Sequence, residues 1–94
     1  MHFGLLTISF KIYGCKSLKD KRGHLLPFEN RISKQFNISI AETGYQDSHQ
    51  DCQITIGLVN NNPAFIQAEF SRIEKWIESH YPDLTIYDQK LEIM

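Results

Sequence analysis

The chain has 94 residues, of which 41% are hydrophobic and 22% charged, enough for one core of two packed layers but not for a second domain. Its two cysteines, Cys15 and Cys52, are too few for the framework of a disulfide-built secreted protein, and both are expected to be free thiols. Without a basic leader or an apolar run long enough to span a bilayer, the composition points to a soluble cytoplasmic protein with no membrane partner.

The net charge of −1 conceals a division along the chain. Residues 1–22 hold five bases (Lys11, Lys16, Lys19, Lys21, Arg22) against Asp20 alone, whereas the remainder is acidic. Positive potential is therefore concentrated in one segment.

From Phe3 to Tyr13, Leu6, Ile8, Phe10 and Ile12 alternate with Leu5, Thr7, Ser9 and Lys11, which predicts a half-buried strand. Ser17, with Asp20 three residues on, resembles a capping box. Leu18, Leu25, Phe28, Ile32 and Phe36 then recur at helical spacing. Gly23 and Pro27 interrupt this pattern. An interior proline loses a hydrogen bond and costs about 3 kcal/mol, so a kink or break is expected between them.

Ile38 and Ile40, and then Cys52, Ile54, Ile56 and Leu58, alternate with polar or small residues on either side of a polar stretch, Thr43 to Asp51, which predicts a β-hairpin. Asn60 to Asn62 followed by Pro63 supplies a helix cap and a first-turn proline, after which Ile66, Phe70, Ile73 and Ile77 form an apolar stripe ended by Pro82. A last alternating run spans Leu84 to Ile93.

The order β-α-β-β-α-β folds most simply into an α+β ferredoxin-like sandwich, a four-stranded antiparallel sheet with both helices on one face. The uncovered face would carry Phe3, Leu5, Thr7 and Tyr13, apolar enough to suggest a homodimer. In this topology the basic turn, the hairpin tip and His80 share one rim of the molecule.

Three segments carry a family resemblance over essentially the whole chain. Ser17-Leu18-Lys19-Asp20-Lys21-Arg22, Phe36-Asn37-Ile38-Ser39-Ile40-Ala41-Glu42, and Gln46-Asp47 with Gln50 resemble the SLKxKR, FNVSVAE and polar-hairpin segments of the YlxP-like family of small bacterial proteins, also called domain of unknown function 503. The resemblance implies the same ferredoxin-like fold and carries no established reaction. Family members are often encoded near translation and ribosome-maturation genes, an association that favours an RNA-related role. Here His49 replaces a common Trp, Asp51 a common base and Gly23 a common Arg.

Among candidate sites, the start of the first helix offers unpaired N–H groups and a partial positive charge, to which Lys16, Ser17, Lys19, Lys21 and Arg22 add donors for a phosphate or an RNA backbone. Glu42, Gln46, Asp47 and Gln50 form the polar part of the same rim. The competing reading makes Ser17 a plain cap and the bases a solvated face that pairs with Glu42 or Asp47. A near-neutral chain argues against DNA, and the third strand has no aromatic residue on which bases could stack.

No catalytic constellation stands out. An acylphosphatase-like enzyme needs a glycine-rich loop around its anion, and Tyr13 to Lys19 contains only Gly14. His24, His49, His80, Cys52 and Asp51 lack the spacing of a zinc site. The sequence thus points to a binding module without cofactor or metal that contacts RNA or a ribonucleoprotein, with a protein-interaction domain as the alternative and a small-phosphate enzyme third.

Overall fold

The computed structural model describes residues 1–94. Six elements follow in chain order: β1 (His2–Lys11), α1 (Leu18–Gln35), β2 (Ser39–Gly44), β3 (Asp51–Asn60), α2 (Pro63–His80) and β4 (Thr85–Ile93). The strands form one antiparallel sheet in the order β2-β3-β1-β4. This is the expected ferredoxin-like α+β arrangement.

Pairing register fixes which side chains meet the helices. Leu6, Ile8 and Phe10 of β1 lie opposite Ile56, Ile54 and Cys52 of β3, and all six are buried. The intervening residues point to the open face, as the two-residue period of a strand requires. From above the sheet, α2 contributes Ile66, Phe70, Ile73 and Ile77, and α1 contributes Leu25, Phe28 and Ile32. Burying each such side chain stabilises the fold by about 1.5–3 kcal/mol.

Gly4 sets how closely α2 rides on β1. A Cβ there would stand 2.5 Å from Ile66 Cγ2 and 2.6 Å from Phe70 Cε2, so only glycine lets the helix settle at this height.

Both helix starts follow from their caps. Ser17 Oγ accepts from Asp20 N at 3.1 Å while Asp20 Oδ2 accepts from Lys16 N at 3.2 Å, a reciprocal cap. Asn62 Oδ1 accepts from Ala64 N at 2.9 Å, with Pro63 in the first turn.

The expected break in α1 is absent, because the helix runs unbroken through Pro27. A proline ring clashes with the carbonyl four residues back, which here belongs to Gly23. Tertiary packing overrides the remaining cost: Leu25 and Phe28, on either side of Pro27, are both buried in the core, whereas Pro27 faces solvent.

On the open face, the row Val59, Phe3, Met94 is apolar, and so is Leu5 opposite Gly57 in the next row. Hydroxyls and amides then take over. Thr7 bonds Thr55 at 3.1 Å and Thr55 bonds Thr43 at 2.8 Å, while Gln53 reaches Ser9 at 3.4 Å and accepts from Thr43 at 3.3 Å. Tyr13 is not part of this face, since it lies beyond the end of β1 and lines a groove against α1. The expected apolar face is thus confined to one corner.

Candidate functional site: the rim beside the first helix

The β1–α1 loop, the first half of α1, the hairpin tip and the α2–β4 connection meet at one end of the sheet. The first half of α1 is tied to the hairpin by Lys21, for which the sequence offered either an external anion or pairing with Glu42 or Asp47, and the structure shows the pairing with Glu42. Lys21 is only 2% exposed. Its Nζ donates to the carbonyls of Tyr45 and Ser48, each at 2.8 Å, and lies 2.8 Å from Glu42 Oε2.

Two of the ammonium's three hydrogens go to these carbonyls. Glu42 Oε2, withdrawn from solvent, meets Nζ as a close charge pair and has no hydrogen-bond partner. Lys21 is therefore a strut between helix and hairpin and is not a contact for an external anion. The same turn places Tyr45 at φ +54°, a left-handed conformation that directs its carbonyl toward Nζ. Two further bonds fasten the tip: His49 Nδ1 donates to the Cys15 carbonyl at 2.9 Å, and Ile12 N donates to the Gln50 carbonyl at 2.8 Å.

The other bases of this turn point away from Lys21. At about 100° per residue, Lys19 lies some 160° from Lys21 around the helix and Arg22 about 100° in the same sense, so these two are about 60° apart. With Lys21 inward, Lys19 points outward and Arg22 lines a shallow depression with Leu26, Glu29, Ile40 and Glu42. Lys16 and Lys19 are exposed, and neither they nor Arg22 form an ion pair. Ser17 is the cap described above.

Of the rim's polar candidates, Glu42 belongs to the strut and Gln46 Nε2 donates to the Glu42 carbonyl at 3.3 Å. Asp47 is exposed, and Gln50 serves through its backbone. The segments that meet at this end carry Lys11, Lys16, Lys19, Lys21 and Arg22 and also Asp20, Glu42, Asp47, Asp51 and Asp83, with Lys11–Asp51 and Lys21–Glu42 in contact. The local charge is balanced, unlike the charge of residues 1–22 taken as a linear segment.

Between the rim and the end of α2 lies a groove of about 400 Å³, a volume typical of ligand pockets. Phe10, Leu25 and Phe28 belong both to its lining and to the core, with Tyr13 and Tyr81 alongside. His24 and Asp83 are its polar liners. Sequence reasoning missed this feature, because its walls come from the end of β1 and the loop after it, from α1, and from the residues on both sides of Pro82. A visible signal was Tyr13, 68% exposed where strand passes to helix.

His80 leaves the rim altogether and stacks on Trp76, with centroids 4.4 Å apart and planes at 21°. Both cysteines are free and buried, and burial pushes the Cys52 thiol up to about 11, which keeps it protonated and unreactive. No three His, Cys, Asp or Glu side chains converge as metal ligands would, and no helix is long and apolar enough to cross a membrane.

Over 73 residues the chain is 36% identical to the "Uncharacterized protein YlxP" of Bacillus subtilis (strain 168), covering 78% of each sequence. The profile of the family described as protein of unknown function (DUF503) matches residues 3–91. A strand-helix rim closed by a lysine strut, on a ferredoxin-like sheet, is thus how this sequence builds the fold, and the chain belongs to the DUF503 family.

Proposed function

We propose that this protein is a non-catalytic docking module that meets a protein partner with its rim. The observation that carries this reading is the aromatic groove beside a hairpin already fastened by Lys21. A surface ordered before contact loses little conformational freedom on binding, and an apolar pocket flanked by tyrosine and polar groups has the anatomy of an interaction hot spot. Balanced charge at this end favours a protein over a polyanion, whose affinity grows with the number of phosphates neutralised.

A second reading, contact with RNA or a ribonucleoprotein, rests on Lys16, Lys19 and Arg22, which stand without ion-pair partners. Both are tested by placing a photo-crosslinking residue at Tyr13, with exposed Gln67 on α2 as the control position. Nuclease-resistant protein adducts confined to the Tyr13 position are expected. Adducts that nuclease removes would transfer the site to RNA, and equal labelling from both positions would overturn it.

A further inference from the structure

The outer surface of the two helices holds a different constellation. Arg72, Lys75, Trp76, Ser79 and His80 recur at spacings of three and four and therefore share one flank of α2. With Gln35 at the end of α1 they line a cleft of about 370 Å³. Arg72, Lys75, Gln35 and Ser79 offer seven or more N–H and O–H donors between them, and no carboxylate is among the lining residues. Glu69 engages Arg72 at 2.9 Å through one nitrogen, Nη1, leaving the rest of the guanidinium fork free.

Beside these donors stands an aromatic stack flanked by a guanidinium. The Arg31 guanidinium lies 5.6 Å from the centre of the Trp76 ring, and the His80 imidazole lies 4.4 Å from it. His80 Nδ1 donates to the Trp76 carbonyl at 2.9 Å, which fixes the imidazole parallel to the indole. Trp76 is the only ring that His80 meets, and His80 is exposed, so its outer face is open. Phe36 and Tyr81 hold the indole from its sides, with centroids at 6.2 and 5.9 Å.

A site that offers donors without an acidic liner selects an oxyanion, and an aromatic stack with one open face selects a flat ring. We propose that this cleft binds a nucleotide unit, its phosphate on Arg72 and Lys75 and its base on the outer face of His80. The two parts of the ligand are recognised by different residues and can be removed separately. The site is remote in composition from the rim and does not depend on what docks there.

The test is calorimetric titration of the intact protein with adenosine 5′-monophosphate, inorganic phosphate and a short oligoadenylate. Arg72→Gln/Lys75→Gln should weaken the monophosphate and inorganic phosphate alike by about tenfold or more, as loss of charge-assisted bonds requires. His80→Ala should weaken the monophosphate by about tenfold and leave inorganic phosphate unchanged, whereas His80→Phe should retain binding. Unchanged melting temperatures establish that the variants are folded. Tighter binding of the oligoadenylate identifies RNA as the source of the nucleotide, and equal binding identifies the free nucleotide. Absence of monophosphate binding at millimolar concentration, or affinity that neither variant changes, overturns the proposal.

Discussion

Two stretches of this protein are rich in basic residues, the first turn of α1 and the last turns of α2, and they end in opposite arrangements. Lys19, Lys21 and Arg22 are near neighbours in sequence, yet Lys21 turns away from the other two and is buried. Arg72, Lys75 and His80 are separated by acidic and apolar residues, yet line one cleft. Since a helix turns through about 100° per residue, bases at successive positions disperse and bases three or four apart gather. A run of positive letters is therefore a poor indicator of a positive surface, and spacing is the better one.

The difference has a further component, since the basic residue at the rim with the most contacts is structural whereas those of the cleft are peripheral. The largest expected effect follows from this. Lys21→Met removes the countercharge of a carboxylate withdrawn from water and the donor to two hairpin carbonyls, and breaking such a pair destabilises by about 3 kcal/mol. Urea unfolding measures it, and Lys21→Met/Glu42→Leu should recover a large part of the loss. A cost below about 1 kcal/mol would mean that the strut does not fasten the hairpin.

Ser17→Ala tests whether the rim serine is a cap and nothing more. Loss of its bond to Asp20 N should cost about 1 kcal/mol in the same assay, with no change in what crosslinks at Tyr13. Lys19→Ala and Lys75→Gln come next, each within about 0.5 kcal/mol of the parent, because neither residue forms an ion pair. A large loss in either would erase the contrast between strut and surface.

The smallest effect concerns pH. Desolvation, with Glu42 as the second cause, raises the Glu29 carboxyl above 4.5, so its protonated form is the one the fold prefers. The stability contributed by this group is complete below the unfolded value and is lost as pH rises through the folded one. Glu29→Gln should therefore raise the melting temperature at pH 7 relative to the parent and leave it unchanged well below pH 4.5. An equal change at both pH values would show that the charge of Glu29 plays no part.

Much of the architecture was legible because local signals and global packing agree. Alternation in β1 and β3, the apolar stripe of α2, and caps at Ser17 and Asn62 all indicate the elements that form. Pro27 is the exception. Its cost is local, and the burial of Leu25 and Phe28 on the face that meets the sheet outweighs it.

The candidate site was less legible. Glu42 as a partner of the basic turn was within reach of charge reasoning, but which base it takes depends on helical phase relative to the core. That phase is set by Leu25, Phe28 and Ile32, which share the inward face with Lys21. The groove and the cleft were hidden for a different reason, since each is assembled from elements far apart in the chain.

Composition, periodicity and capping residues by themselves determined six elements, their order and the sandwich they form, because each rests on interactions within a few residues or on the burial of an apolar stripe. Tertiary structure alone decided that Lys21 turns inward while Lys19 turns out, that Tyr13 closes a groove, and that His80 joins Trp76 on the helical layer. Those outcomes depend on which surfaces meet when two helices pack on one sheet, and that is a property of the folded whole.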